Sequence, residues 1–355
     1  MKKILAFVLA LTLVLSFSAC GNPKREETVE KYGSYKLKLF LPGEYISDDV
    51  ISAFEKEYGA KLIVELFDSN EMMYTKLQSG DKYDVLIPSD YMVERLIAND
   101  YLQTLELDRV PNLSGVSELV PYGIDKSYGV PYFWGSVGIV YNHNNVPAEV
   151  VEAQGFEVLR NTDYKGNLYI YDSERDSFMM AFKALGYSMN TDNEQHITEA
   201  YEWLCEMADT MDPSFVTDEV IDAMATGLKD LAVVYSGDAA YILSENEDMS
   251  FFMPNEGTNI WTDYMVIPKN AENPLLAHEF INFMISYDAA YENSDYVGYA
   301  SPVAKVLEDL TAEGATYYGN EAYLPRMSGE NDEIFHDNRT LQTKLADLWI
   351  KVMAQ

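Results

Sequence analysis

The stretch that decides the fold is KLKLFLPGEYISDDVISAFEKEYGAKLIVELFDSNEMMYTKLQSGDKYDVLIPSDYMVERLIAN, residues 36–99. Leu37, Leu39 and Leu41 take every second position at its start, which predicts a β-strand. Asp48 or Asp49 can then cap a helix, and the change from strand to helix occurs twice more. Further strands are predicted over 61–66 and 85–87, and further helices over 71–78 and 92–99. This succession indicates a parallel sheet flanked by helices.

A second set of the same units lies further along the chain. Strands are predicted over 168–171 and 231–235, and helices over 177–185, around 197–207 and over 239–243. A chain of 355 residues exceeds one ordinary core and is typical of two domains. We therefore predict an α/β fold with two lobes, each a mainly parallel sheet flanked by helices.

The charge of the chain limits its partners. It has 58 acidic and 25 basic side chains and a net charge of −33. We expect no nucleic-acid partner, because phosphate backbones are bound by a surplus of Lys and Arg. The charge suits a cationic ligand, although a solvated acidic surface accounts for it as well.

The N-terminus predicts export. Lys2 and Lys3 precede an unbroken apolar run from Ile4 to Phe17, followed by small residues, as in a secretory signal peptide over 1–19. The alternative, a transmembrane helix, needs roughly 20 apolar residues, more than this run contains.

The end of the signal peptide resembles a bacterial lipoprotein box, with Phe17 where a Leu is usual. Cys20 is then the lipidation site, and 20–33 reads as a flexible tether. We expect the protein on the outer face of the cell membrane, or in the periplasm if an outer membrane is present. Cys205 is the remaining thiol and is predicted to be a buried helical residue without redox function.

Carboxylates follow the predicted strands, where open α/β sheets bind ligands. The segments are PGEY 42–45, PSDY 88–91, DSERD 172–176, SGD 236–238 and WTDY 261–264. Most also carry an aromatic ring or have one adjacent. Carboxylates and ring faces together favour an organic cation. For any single acid, helix capping is an equally open interpretation.

Five spaced motifs stand in order along the chain: SNEMMYTKL 69–77, YDVLIPSDY 83–91, VPYFWG 130–135, SGDAA 236–240 and GYASP 298–302. Together they resemble the spermidine/putrescine-binding proteins of bacterial polyamine ABC transporters. The resemblance runs from about Tyr35 to near the C-terminus. It implies a periplasmic-binding-protein-like fold, two lobes joined by crossover strands and closing on a polyamine, and delivery of that ligand to a transporter permease.

The resemblance also implies the site residues by position. The expected ligand contacts are Glu44, Tyr45, Ser89, Tyr91, Asp176, Tyr235, Trp261, Asp263 and Tyr299. This chain departs from the family where Pro42 and Tyr235 replace tryptophans and Ser173 replaces an acid. Asp172 and Glu174 are the two candidates to supply the carboxylate that Ser173 lacks. No cofactor and no bound metal are expected.

The two-lobe interpretation predicts the domain boundaries. Lobe 1 is expected to comprise 34–138 plus 263–303, and lobe 2 to comprise 139–262 plus 304–355. We expect a monomer whose partners are the polyamine, the permease and, through the lipid, the membrane.

Other function classes are less well supported by the sequence. The hydrolase, metalloprotease, phosphate-loop and dinucleotide motifs are absent, so we do not predict an enzyme, although a secreted hydrolase with two carboxylates remains an alternative. A ferric-iron binder of the same architecture is another, for which the adjacent Tyr317 and Tyr318 are the candidate ligands. The histidines, at 143, 196, 278 and 336, are scattered.

Overall fold

The computed structural model describes residues 22–324, 326 and 329–355. The predicted signal peptide and the predicted lipidation site Cys20 lie outside these residues. Within the described part of the chain, no helix is both long and apolar enough to cross a membrane.

The strands of the described chain form one mixed sheet in the order β2-β1-β3-β9-β4-β7-β5-β6, with β8 also paired to β4. The strands are β1 (Lys36–Pro42), β2 (Lys61–Phe67), β3 (Val85–Leu86), β4 (Gly129–Asn142), β5 (Leu168–Tyr171), β6 (Ser214–Val216), β7 (Leu231–Tyr235), β8 (Met249–Phe252) and β9 (Ile260–Val266). Pairing is parallel around β1 and between β5 and its two neighbours, as predicted. The central pairings with β4 and β9 are antiparallel.

Strand β4 passes through both parts of the sheet. Its residues Gly129–Ser136 pair with β9, whereas Val137–Asn142 pair with β7 and β8. All 14 residues of β4 are buried. Strands β1, β2, β3 and β9 with their helices are called the first half of the fold here, and β5 to β8 with theirs the second half. Strand β4 therefore links the two halves.

The helices are α1 (Pro23–Tyr32), α2 (Asp48–Tyr58), α3 (Asn70–Gln78), α4 (Asp90–Ala98), α5 (Ala148–Gln154), α6 (Glu174–Ala184), α7 (Glu194–Met211), α8 (Glu219–Ala225), α9 (Ser236–Glu245), α10 (Pro274–Met284), α11 (Tyr287–Val297), α12 (Ala304–Leu310) and α13 (Arg339–Met353). Helices α2, α3 and α4 cover the first half, and α6, α8 and α9 cover the second. The α/β fold class predicted from the sequence is confirmed.

The predicted cap of helix α2 is wrong. Ser47 is the N-cap, and its Oγ accepts a 3.2 Å hydrogen bond from the amide of Asp49. Asp48 and Asp49 occupy the first turn instead, where a negative charge is stabilised by the helix dipole. Helix α6 likewise begins three residues before its predicted start, because Ser173 caps it.

The prediction of a flexible tether is wrong for Pro23–Tyr32. These residues form α1, capped by Asn22 and ended by Gly33 at φ 85°. The Lys24 ammonium donates to the carbonyl of Lys56, and the Thr28 hydroxyl donates to that of Tyr58. Proline at the first position and glycine after the last are favourable helix ends, and packing on α2 then stabilises the short helix.

The C-terminal helices divide between the two halves of the fold. Helix α12 packs on α11, and the Tyr287 hydroxyl donates a 2.8 Å hydrogen bond to Asp309. Helix α13 packs on α6 and α7. The predicted boundary after residue 303 separates α12 from the helix on which it packs. Cys205 lies in α7 and is half-buried.

Candidate ligand-binding site

Asp263 is a buried carboxylate in the first half of the fold. It lies in β9, is 6% exposed, and accepts a 2.5 Å hydrogen bond from the Tyr45 hydroxyl at Oδ2. Its Oδ1 has no donor among the described residues. Burial raises the pKa of Asp263 to about 6, although the hydrogen bond from Tyr45 opposes the shift. The free oxygen is thus available to a donor from a ligand.

Asp176 is the corresponding carboxylate in the second half. It lies in the first turn of α6, is 5% exposed, and accepts at Oδ2 from Tyr235 (2.6 Å) and Ser173 (2.7 Å). Its Oδ1 is also buried without a donor among the described residues. Burial raises the pKa of this carboxyl against the hydrogen bonds from Tyr235 and Ser173.

Asp238 is a third carboxylate of the site, and it is absent from the predicted contacts. It lies in the first turn of α9, where it accepts 3.1 Å hydrogen bonds from Tyr171 and Tyr299. Burial raises its pKa to about 6. Its position after a strand, in the SGD segment, was the available signal, but the family resemblance did not select it.

Aromatic rings join the three carboxylates into one surface. Ring centroids are 5.9 Å apart for Tyr45 and Tyr299, 5.2 Å for Tyr299 and Trp261, 6.3 Å for Trp261 and Tyr235, and 5.0 Å for Tyr235 and Tyr171. The Trp261 Nε1 is buried without an acceptor among the described residues. Six of the nine predicted contacts therefore lie in one network: Tyr45, Asp176, Tyr235, Trp261, Asp263 and Tyr299. Asp176 joins it through Tyr235.

Two further rings support Tyr45 and were missed by the sequence interpretation. The Tyr132 hydroxyl donates a 2.6 Å hydrogen bond to the carbonyl of Tyr45, and Phe133 packs edge-on at 5.3 Å from its ring. Both residues lie in β4. The VPYFWG motif contains both residues. Strand β4 has a bulge between Pro131 and Phe133, and the sequence does not indicate which face of the sheet each ring takes after a bulge.

Glu44 is not joined to this network. It is exposed and has a φ of 53°, in the left-handed region. The turn that brings Tyr45 inward leaves Glu44 at the surface. Among the described residues, no hydrogen bond joins the Glu44 side chain to the other predicted contacts, so its contact with a ligand stays a prediction.

Ser89 and Tyr91 occupy the first half near Asp263. Ser89 forms an isolated β-bridge with Asp263, and its Oγ accepts from Asn70 at 3.2 Å. Tyr91 is 8% exposed, and the Arg175 guanidinium lies 3.8 Å from its ring centroid. The ring face expected for a ligand cation is thus covered by a cation of the protein.

The residues that depart from the family have structural consequences. Ser173 caps α6 and donates to Asp176, and the Tyr235 hydroxyl also donates to Asp176. An indole at position 235 has no hydroxyl to do so. Asp172 accepts a 2.8 Å hydrogen bond from Trp349 of α13 and is exposed, so it does not replace an acid at position 173.

The described residues contain no group of three His, Cys, Asp or Glu side chains placed to hold a metal ion. Tyr317 stacks on Tyr323 at 3.9 Å and donates to the carbonyl of Asp295, whereas Tyr318 is exposed. The two tyrosines therefore do not face a common centre as iron ligands would.

The chemistry of the site is that of a receptor for organic cations. Two buried carboxylates, Asp176 and Asp263, and the half-buried Asp238 lie between aromatic rings, and each of the two buried ones has an oxygen without a donor in the described structure. Buried charge is costly unless a counter-charge is present. An ammonium group placed on these oxygens supplies that charge, and methylene groups fit the ring surface.

Comparison with known proteins gives a consistent result. The family model for bacterial extracellular solute-binding proteins matches residues 49–320. The spermidine/putrescine-binding periplasmic protein of Escherichia coli is 29% identical over 297 residues, which is 81% of this chain and 84% of the relative.

Two solved structures share the fold. A spermidine/putrescine ABC transporter substrate-binding protein of Streptococcus pneumoniae gives a TM-score of 0.77 at 30% identity, covering 90% of this chain and 99% of that one. A lipoprotein of Treponema pallidum gives 0.78 at 25% identity, covering 89% and 99%.

Proposed function

Because the chain belongs to the bacterial extracellular solute-binding proteins, we propose that it binds a polyamine of the putrescine/spermidine class and delivers it to an ABC transporter. Several of its relatives are named spermidine/putrescine-binding proteins. The ligand lies between the two halves of the fold, on the carboxylates and rings described above. Like its periplasmic relatives, the protein is exported.

One observation carries the proposal: Asp176 and Asp263 each keep a buried carboxylate oxygen without a donor among the described residues. They belong to opposite halves of the fold, so a ligand with ammonium groups at both ends can bridge them. Asp238 lies on the aromatic surface between and provides a further acceptor. Each charge-assisted hydrogen bond contributes roughly 1.5 to 3 kcal/mol.

The two lobes of this proposal correspond to the two halves of the fold, except that the boundary after residue 262 falls inside β9. Lobe 1 takes 34–138 and 263–303, to which the packing of α12 on α11 adds Ala304–Leu310. Lobe 2 takes 139–262 and the C-terminal region with α13. Closure around the ligand excludes water and creates the surface that a permease recognises.

The anchoring and assembly of the protein follow the same proposal. Cys20 carries the lipid that holds a monomer at the outer face of the membrane, and a relative described as a lipoprotein supports this assignment. The protein has no enzymatic activity in this proposal. Its cargo in this proposal is an organic cation, because the carboxylate oxygens of Asp176 and Asp263 that lack a donor among the described residues, and the rings around them, suit ammonium groups.

A ligand screen tests the proposal. The melting temperature of the purified protein is measured with putrescine, cadaverine, spermidine, spermine, ferric citrate and an oligosaccharide mixture. A specific ligand at a hundredfold excess over its Kd stabilises the folded state by about 2.7 kcal/mol. We expect shifts with the amines alone. A shift with ferric citrate or the oligosaccharides, and none with the amines, would contradict the proposal.

A further inference from the structure

Arg175 joins the two halves of the fold beside the site. It lies in the first turn of α6, in the second half, and its side chain is 13% exposed. Its guanidinium lies on the Tyr91 ring and pairs with Glu71 at 3.3 Å. Tyr91 and Glu71 belong to α4 and α3 of the first half.

Glu71 is held by more than one partner. Its Oε1 accepts a 2.6 Å hydrogen bond from Gln342 of α13 and lies 4.0 Å from Arg95. Arg95 in turn pairs with Asp337 at 2.6 Å and donates to Gln342 at 2.8 Å. The contact between Arg175 and Glu71 is therefore one part of a polar network that crosses from α3 and α4 to α6 and α13.

The direction of the Arg175 side chain separates it from the ligand site. Arg175 directly precedes Asp176, yet Oδ1 of Asp176 receives no hydrogen bond from it and stays without a donor in the described structure. The guanidinium points instead to Glu71 and Tyr91. Arg175 thus leaves Oδ1 of Asp176 without a hydrogen bond and directs its guanidinium to the contact between the halves, while its charge also opposes the rise that burial causes in the pKa of Asp176.

We propose that Arg175 is a clasp residue: by binding Glu71 and Tyr91 across the two halves it slows the release of the ligand without contacting it. This inference rests on the proposed function. Arg175 and Asp176 are consecutive in the same helical turn, so a ligand that draws Asp176 toward the first half also brings the guanidinium onto Tyr91. The clasp forms only when the halves meet, and an opening step must break it.

A residue that joins the two halves without contacting the ligand should differ in two ways from a residue that contacts the ligand. Loss of the clasp accelerates the release of every bound amine by the same factor, because no amine touches it. It leaves the association rate nearly unchanged, since the ligand enters before the halves meet. Specificity among amines is therefore preserved while residence time falls.

The test uses Arg175→Gln, Glu71→Gln and the double variant. Dissociation rates of putrescine, cadaverine and spermidine are measured by stopped-flow fluorescence. Each single variant is expected to release all three amines about tenfold faster, equivalent to about 1.4 kcal/mol. The double variant is expected to be no faster than Arg175→Gln alone, because that change already removes the ion pair with Glu71.

Arg160→Gln is the matched control. Its guanidinium also lies over a ring, that of Trp203 at 5.3 Å, and pairs with Glu157 and Glu206, but all of these residues belong to the second half. We expect release rates from this variant to equal those of the wild type. The melting temperature without ligand is recorded for every variant, and Glu71→Gln carries the test alone if Arg175→Gln does not fold.

Three outcomes would overturn the inference. They are unchanged release rates, a factor that differs among the three amines, and additive effects in the double variant. A wild-type protein that binds none of the amines would instead refute the proposed function. Wild-type binding with normal release from both single variants refutes the clasp alone.

Discussion

The Tyr45 hydroxyl donates a 2.5 Å hydrogen bond to Oδ2 of Asp263, while Oδ1 of the same carboxylate is buried with no donor in the described structure. One residue of the protein thus fixes the orientation of the carboxylate and leaves its second oxygen open. Such an arrangement is pre-organised for a cation, because the carboxylate does not have to turn when the ligand arrives.

The first prediction concerns Asp263. Asp263→Asn preserves the shape of the side chain but removes the charge that offsets desolvation of an ammonium group. Affinity for putrescine should fall roughly ten- to a hundredfold, or about 1.5 to 3 kcal/mol. Isothermal titration calorimetry measures the change, with Asp288→Asn, an exposed residue in the first turn of α11, as the control. Equal Kd values for a folded Asp263→Asn protein and the wild type would exclude the contact.

The second prediction concerns Asp238, which the sequence interpretation did not select. Asp238→Asn should weaken amine binding by a similar factor if the carboxylate accepts from the ligand. Tyr299→Phe removes only one of its two hydroxyl donors and keeps the ring, so its effect should be smaller. Calorimetry on both variants ranks the two contributions. A larger loss from Tyr299→Phe would mean that Asp238 acts only by orienting that ring.

A third prediction follows from the contact between Gly237 and Tyr299. A Cβ on Gly237 would lie 2.4 Å from the Tyr299 ring. The two residues belong to opposite halves of the fold, so Gly237→Ala should hinder their approach and raise the Kd for amines at least tenfold. Gly237 does not have a positive φ, so the backbone of α9 accepts alanine there, and the melting temperature without ligand reports any cost of the contact with Tyr299 in the free protein.

Gly115→Ala is the control for this substitution, because a Cβ there meets only the Val303 side chain at 3.9 Å. Calorimetry and melting temperatures are recorded for both variants. A normal Kd for Gly237→Ala would show that the Tyr299 ring moves aside without cost.

The fourth prediction concerns pH. The pKa values of Asp238 and Asp263 are raised to about 6 by burial, above their unfolded values, so both carboxyls stabilise the ligand-free fold when protonated. Their contribution to the free energy of unfolding is complete below about pH 4 and is lost as the pH rises through 6. The loss is roughly 3 kcal/mol for each carboxyl. Burial raises the pKa of Asp90 to about 8, so the loss of folding stability continues to higher pH.

A cationic ligand reverses this dependence, because it binds the ionised carboxyls. Affinity should rise between pH 5 and 7, and binding at pH 6 should release protons. Melting curves against pH and calorimetry in buffers of different ionisation enthalpy measure both effects. The Asp238→Asn, Asp263→Asn double variant should release fewer protons than the wild type, with Asp176 as the remaining titrating carboxyl of the site. Proton release from that variant equal to the wild type would place the titrating groups elsewhere.

The fifth prediction concerns anchoring. Cys20→Ser removes the thiol that the lipid modifies, so the folded protein should leave the membrane fraction. Fractionation followed by immunoblotting measures the distribution, with Cys205→Ser as the control, since Cys205 lies in α7. A Cys20→Ser protein as membrane-bound as the wild type would contradict the lipid anchor.

The alternation of Leu37, Leu39 and Leu41 and the repeated change from strand to helix were sufficient to predict the α/β class. Both depend on local periodicity, which a single sequence expresses directly. Helix ends were less well predicted, because Ser47 and Ser173 competed with adjacent acids as caps. The helical nature of Pro23–Tyr32 was missed, since its stability comes from packing on α2 and short helices are marginal alone.

The sequence by itself determined which residue types line the site, since the post-strand segments contain Asp176, Asp238 and Asp263. Only the tertiary structure decided which of them keep a free oxygen and which ring each one faces. Asp176 and Asp263 are 87 positions apart in the chain, and their donors Tyr235 and Tyr45 come from other strands and turns. The reason is physical. Whether a carboxylate oxygen meets a donor depends on how distant segments pack against it, and the local sequence does not encode that packing.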